Sequence, residues 1–357
     1  MNMPFTPNAM TVRILDREDR NELARIDKFV NDHADGTAFH RPAWLLSSAK
    51  ACGHDWRYMM VEDIEGVLQG IVPLTLIHSA LFGRALVSSG FAVGGGILSL
   101  TDKAAQIIAD AVWDFAEIHS FPTVELRGGP IPRGKWQNDA GVYAGFAAKL
   151  EDDDEKQLLA IPRKQRAEVR KGLKNDLVVR TGTQEVDRLD HYRIYAESVR
   201  NLGTPVFPKA LFDKVMDAFG QDADILTVLS GGEPVASVLS LYHGGTVMPY
   251  WGGGTYDARR LRANDIMYYA LMNHARRRGC RRFDFGRSKI GTGAYAFKKN
   301  WGFEPEPLTY AIRTADGEAA RDVNPMSPKY RLQVALWQKL PLSVANRLGP
   351  FIAKGLG

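Results

Sequence analysis

One order of segments runs twice through this chain of 357 residues, and it decides the fold class before composition is consulted. In the first half, residues 57–62 and 67–77 read as strands across a turn at Glu65 and Gly66. The short run 85–88 leads to Gly94, Gly95 and Gly96. Thr101 and Asp102 then offer an N-cap to a helix over 103–119, with Ala104, Ile107, Ile108, Ala111, Val112 and Phe115 on one face. A strand over 121–126 closes the set at Arg127, Gly128 and Gly129. The second half has strands over 225–230 and 235–242, a hairpin at Gly244 and Gly245, a strand over 247–251, then Gly252, Gly253 and Gly254. A helix over about 261–278 ends at Gly279, and a strand over 282–285 ends at Gly286, Arg287 and Ser288. The glycine triplets stand 158 positions apart, and the strands 124–126 and 283–285 stand 159 apart. Such a repeat predicts an α/β (α+β) chain of two like domains, each a mixed sheet flanked by helices.

Length fits that division. The expected domains cover 10–150 and 179–315, with a basic connecting helix over 151–178 and a basic helical tail over 316–357. Hydrophobic residues make up 45% and charged residues 24%, which sets aside disordered and collagen-like chains. A net charge of +5 suits an anionic partner. The only cysteines, Cys52 and Cys280, form no CxxC or Cys/His cluster, so no metal site is expected and nothing suggests a disulfide. Residues 1–10 lack an apolar run and no stretch of about 18 apolar residues occurs, so the expected setting is cytoplasmic with no transmembrane helix. Residues 323–357 hold five Lys/Arg and no acid, with Tyr330, Val334 and Trp337 on one helical stripe. Such a tail either docks on the body or touches an anionic membrane surface, which would make the protein peripheral to the inner membrane.

Four stretches could carry chemistry. Over 161–174, Pro162 suits a first helical turn, and Arg163, Arg166, Arg170 and Lys174 share a face, with Lys164 beside them. That face either holds phosphates or a nucleic-acid backbone, or is simply solvated. The preceding acidic run 151–155 complements a helix N-terminus or serves as a linker. Over 249–265, Gly252 and Gly253 allow close backbone approach to a ligand, and Tyr250 and Trp251 offer flat faces to a sugar or base. Arg259, Arg260 and Arg262 crowd a helix start, where anions are favoured. Asp284 points away from Phe283 and Phe285 and needs a partner or a cleft. Over 292–303, Lys298 stands between Phe297 and Trp301, where an ammonium can stabilise a developing oxyanion.

The segments IPRKQRAEVRKGLKNDLVVR, VMPYWGGG, RRLRANDIMYYALMNHARRRGCRRFDFGRS and GAYAFKKNWGF together resemble the FemAB-type aminoacyltransferases of the GNAT superfamily. The tail NPMSPKYRLQVALWQKLPLSVANRLGP is similar to the subgroup associated with PEP-CTERM/exosortase and exopolysaccharide systems. The resemblance covers residues 10 to 350 and implies two tandem GNAT-like domains. It implies transfer of an aminoacyl group from aminoacyl-tRNA to an amine of an anionic envelope or polysaccharide precursor, in the cleft between the domains. By similarity Lys298 is the lysine near the reacting carbonyl. From the residues themselves, Asp284 or Asp265 is expected to orient the acceptor or move a proton, and Arg287 and Ser288 to line the site. Neither a tightly bound cofactor nor a DNA partner is implied. Two features depart from the family: no heptad insertion for tRNA contact is present, and the subgroup need not act on peptidoglycan. An acyl-CoA donor stays open, although the loop Arg259-Arg260-Leu261-Arg262-Ala263-Asn264 lacks the glycines with which GNAT enzymes hold the CoA pyrophosphate. So does a non-catalytic binding role on the same scaffold.

Overall fold

Each expected sheet forms, and each is longer than the repeat alone indicates. The structure, a computed structural model, describes residues 10–318, 321 and 331–357. Its chain divides into two units, neither continuous in sequence. One holds the described residues up to Ala140 together with 309–318, Arg321 and Gly355–Gly357; the other holds Gly141–Leu308 and the described residues of 331–354.

In the first unit, β1 (Thr11–Leu15) is followed by helices α1 (Arg20–Asp32) and α2 (Pro42–Cys52). The meander β2 (Asp55–Glu62), β3 (Leu68–Ser79) and β4 (Gly83–Ser88) comes next, with the short β5 (Leu98–Ser99) against β3. Helix α3 (Asp102–Ile118) crosses to β6 (Thr123–Arg127), which runs parallel to β4. Leaving aside the short β5, the sixth strand of this sheet is the end of β13 (Pro305–Thr314), paired with β6 from Tyr310 to Thr314. Thr101 caps α3 by accepting from the Ala104 amide at 3.2 Å. The helix's apolar face, Ile108, Val112 and Phe115 among it, packs on Met59, Val72, Leu74 and Leu86. On the opposite face Ile26, Val30 and Leu45 cover Tyr58, Met60 and Ile71, as alternation along the strands requires.

The second unit repeats the order. After β7 (Gln137–Lys149), α4 (Asp154–Ala160) and α5 (Arg163–Gly172) come β8 (Leu177–Gly182), then α6 (Glu185–Asn201) and α7 (Lys209–Phe219). The meander β9 (Ala223–Ser230), β10 (Glu233–His243) and β11 (Thr246–Gly254) follows, with Gly244 and Gly245 both at positive φ in its hairpin. Helices α8 (Tyr256–Leu261) and α9 (Ala263–Arg277) lead to β12 (Arg282–Lys289), parallel to β11, and then to α10 (Gly293–Asn300). The sixth strand is β7, antiparallel to β12. Helix α9, with Ile266, Met267, Leu271 and Ala275, packs on Val228, Val238, Val247 and Phe283. The tail supplies α11 (Arg331–Trp337) and α12 (Leu342–Ala353).

Several boundaries move, each for a physical reason. The acidic run caps α4 rather than the basic helix: Asp153 accepts from the Lys156 amide at 2.8 Å. The basic helix starts at Arg163, with Pro162 just outside it. The helix expected from about 261 starts at Ala263, because Arg262 takes a left-handed backbone (φ 57°) that separates it from the short α8 before it. Strand β12 continues beyond Phe285 through Gly286, because a bulge there accommodates a glycine at φ 68°. Among the described residues no helix is long and apolar enough to cross a membrane. Cys52 and Cys280 are both buried, and no disulfide joins them. Tyr330, assigned to the tail's apolar stripe, lies outside the described residues.

Candidate active site

Strands β11 and β12 pair at only two positions, Thr246 with Arg282 and Val247 with Phe283. Past them each continues without the other, so their facing backbone groups need different partners. In β12 those partners are internal. Phe285 and Gly286 together oppose the single residue Phe146 of β7, which makes the bulge. The Gly286 amide turns back to Asp284 and donates to its Oδ1 at 2.8 Å. The Lys298 ammonium, near the end of α10, donates to the carbonyls of Gly286 (3.1 Å) and Arg287 (3.0 Å). It also sits 5.5 Å from the ring centre of Phe146 and 5.8 Å from that of Phe285. Helix α10 is held in place by Thr292, whose hydroxyl accepts from the Tyr295 amide.

Burial sets the charge states here. Desolvation lowers the Lys298 pKa to about 8, with Arg287 pushing the same way and Asp284 opposing. Desolvation also raises Asp284, against the pull of the Gly286 amide, Arg282 and Lys298. Arg287 lies over the Tyr143 ring at 4.6 Å. Ser288 is buried, and its hydroxyl has no hydrogen-bond partner. Phe297 and Trp301 surround Tyr268, and Trp301 is buried with an unpartnered indole N–H. The structure thus brings Lys298, Asp284 and Arg287 together at one bulge, with Phe297 and Trp301 packed on the adjoining core.

Asp265 is elsewhere. Its Oδ1 accepts from Gln165 at 2.6 Å, fastening α5 to α9, and burial raises its pKa. Close packing makes that joint possible: a Cβ on Gly172 would lie 2.6 Å from Ile266. Of the basic helix, Gln165 and Val169 face inward, while Arg163, Lys164 and Arg170 are exposed. Arg166 is half-buried and donates to the Leu159 carbonyl. A concavity of about 300 Å³ runs along this face, lined by Arg163, Arg166, Ala167, Arg170, Lys171 and Lys174. Arg262 joins α5 through Glu168 at 2.6 Å, and Arg260 is exposed beside Asp257 at 3.6 Å.

The glycine run of β11 makes room for the protein's own helices. A Cβ on Gly252 would sit 3.2 Å from the Tyr268 hydroxyl, one on Gly253 2.5 Å from Ser198 of α6, and one on Gly254 2.5 Å from Asn264. Trp251 is 4% exposed and packs on Phe212 at 4.7 Å, whereas Tyr250 is half-buried. The corresponding opening in the first unit is filled by its own chain. There β4 and β6 pair only at Leu86–Val124 and Val87–Glu125. Beyond that, the Arg127 amide donates to Ser88 Oγ at 2.8 Å, and its guanidinium is taken by Glu125, Ala92 and Gly357.

Two polar groupings escape a sequence reading. Asp224 is buried and accepts from Tyr242 (2.8 Å) and Arg278 (3.4 Å), with His274 Nε2 at 2.8 Å. His191 of α6 lies 3.0 Å from Ser237 through Nδ1, and desolvation lowers its pKa to about 3. Their residues lie far apart in sequence on unremarkable segments. The bulge had a local signal, a glycine interrupting the alternation of Phe283-Asp284-Phe285.

Residues 162–299 match the family model described as the acetyltransferase (GNAT) domain. The chain is an acyltransferase, built as two tandem GNAT-like units. Among solved structures it is similar to FemX, at 15% identity and a TM-score of 0.64 over 83% of this chain and 96% of that one. A tandem GNAT protein from the clavulanic acid biosynthesis pathway matches at 13% and 0.56, over 87% and 100%. The C-terminal domain of a putative lysylphosphatidylglycerol synthetase from Agrobacterium fabrum matches at 13% and 0.53, over 83% and 92%. At these identities the likenesses show the fold. No curated protein sequence matches the chain.

Proposed function

We propose that this chain transfers an activated aminoacyl group to an amine of a cell-envelope or exopolysaccharide precursor, with Lys298 at the reacting carbonyl. The observation that carries the proposal is the Lys298 ammonium, fixed by two main-chain carbonyls where β11 and β12 cease to pair. Those bonds use two of its three N–H groups, and the third remains for a ligand oxygen. An ester or thioester donor is already activated, so positioning and oxyanion stabilisation are the enzyme's main work. The amine attacks the carbonyl carbon and the N–C bond forms as the C–O or C–S bond breaks. The amine proton leaves with the departing oxygen or sulfur. Partial burial against Phe146 and Phe285 strengthens the ammonium's field. Asp284 has one oxygen on the Gly286 amide, which leaves the other to orient the acceptor amine.

The basic face of α5 suits phosphates, which aminoacyl-tRNA, acyl-CoA and nucleotide- or lipid-linked sugars all carry. Aminoacyl-tRNA as donor, and an acceptor from an exopolysaccharide system of the PEP-CTERM kind in the cytoplasm, rest on the sequence resemblance. An acyl-CoA donor is the second reading, favoured by the match of residues 162–299 to an acetyltransferase domain. Calorimetry with CoA and with charged tRNA separates the two donors. Tight CoA binding with no effect of tRNA overturns the aminoacyl reading.

Lys298→Met tests the site itself. Loss of one oxyanion donor lowers kcat by about 10²–10³-fold, with the circular dichroism spectrum unchanged. Turnover within about twofold of wild type in a folded variant removes Lys298 from the chemistry.

A further inference from the structure

Helix α12 is amphipathic in three sectors. Its buried face carries Ala345, Gly349 and Ala353. That face packs close: a Cβ on Gly349 would lie 2.9 Å from the Val206 amide nitrogen, and Leu342 joins Ala196, Val199 and Val206 in one apolar cluster. At about 100° per residue, Val344, Leu348 and Phe351 fall within about 60° of one another, away from that face. They are 39%, 47% and 69% exposed. Arg347 and Lys354 follow on the side of this stripe remote from the buried face, and both are exposed. The Lys354 ammonium lies 5.6 Å from the Phe351 ring centre, so charge and apolar surface adjoin. Helix α11 repeats the feature with Leu332 and Leu336, one turn apart and 71% and 58% exposed, and Lys339 follows, also exposed. Val334 of α11 meets Gly203, so this helix too is docked by another side.

We propose that α11 and α12 form a peripheral membrane-binding surface that lays Leu332, Leu336, Leu348 and Phe351 into the headgroup boundary of an anionic phospholipid bilayer. Charge complementarity selects that occupant. Residues 323–357 contain no Asp or Glu, and Lys339, Arg347 and Lys354 supply cations at the edge of the apolar stripe. Lys and Arg can extend their charged ends to phosphates while their stems cover apolar surface. Shallow insertion plus attraction to anionic headgroups is the usual energetic basis of interfacial helices. The proposal is independent of the transferase reading, because none of these residues belongs to the site around Lys298.

Co-sedimentation with vesicles tests it, using the full chain. Vesicles of phosphatidylcholine with about 30% phosphatidylglycerol should carry the protein down, and pure phosphatidylcholine should retain at least about tenfold less. Binding should weaken as salt is raised. The double variant Leu348→Glu, Phe351→Glu should lose at least about tenfold in partitioning, and Arg347→Glu, Lys354→Glu should lose the preference for anionic lipid. These side chains are exposed, so folding should persist, and the wild-type comparison of the two lipids stands even if a variant fails. Absence of wild-type sedimentation, equal sedimentation with both lipids, or folded variants that sediment like wild type would each overturn the proposal. So would a dimer in light scattering that Leu348→Glu, Phe351→Glu disperses without any vesicle binding, since the stripe would then serve a second copy of the chain.

Discussion

Lys298 is the residue whose surroundings say most about function, and its titration should be visible in two measurements. Oxyanion stabilisation needs the ammonium form, so the kcat profile should fall on the alkaline side near the pKa of about 8. Lys298→Met should lack that limb. An unlinked profile in wild type would remove the ammonium from the rate-determining step. Stability should move in the opposite direction. The folded pKa lies below the ordinary value of 10.5, so between about pH 8 and 10.5 the unfolded chain binds more protons. Unfolding free energy should therefore rise with pH across that window by up to about 1.4 kcal/mol per unit, and the rise should vanish in Lys298→Met. The lysine and its flanking aromatics can be picked out in GAYAFKKNWGF, but the carbonyls that hold it cannot. Gly286 and Arg287 become its partners at the bulge that shifts the β12–β7 register between Asp284 and Arg287. Asp265 reads in sequence as a free acid at a helix start, and it is spent on Gln165, 100 positions earlier.

At the scale of elements, strand and helix periodicity recovers β2, β3, α3, β6, β9, β10, β11, the first half of β12 and the body of α9. These have continuous apolar faces and ordinary turn residues. The elements it misses have weak patterns. Strand β7, QNDAGVYAGFAAK, is rich in alanine and glycine, which favour strands little. Helix α6 turns His191 and Asp187 inward, which breaks its apolar stripe with polar residues. Helix α5 shows the other side of this difficulty, since its charge pattern is plain while its fastening is hidden in a glycine. Gly172→Ala should push against Ile266 and cost about 1–3 kcal/mol. Thermal unfolding measures that cost. Were the variant as stable as wild type, the α5–α9 joint would be looser than its spacing indicates.

At the scale of the whole molecule, the repeat in sequence corresponds to one topology built twice: strand, two helices, a three-stranded meander, a crossover helix and a parallel strand. What the repeat does not announce is the origin of each sixth strand. Cutting near residue 150, where composition changes, would leave β6 without its neighbour β13. A fragment of residues 1–150 should therefore aggregate through that open edge, whereas the same fragment with 303–318 attached by a flexible linker should be more soluble. Equal solubility by centrifugation would mean that β13 is dispensable. The pairing of Leu126 with Ala311 also has a consequence in time. A ribosome adding about 5–20 residues per second delivers Leu126 roughly ten seconds or more before Ala311. The first sheet to be synthesised must wait for a strand that follows most of the second unit, and a nascent-chain chaperone would find its binding window there.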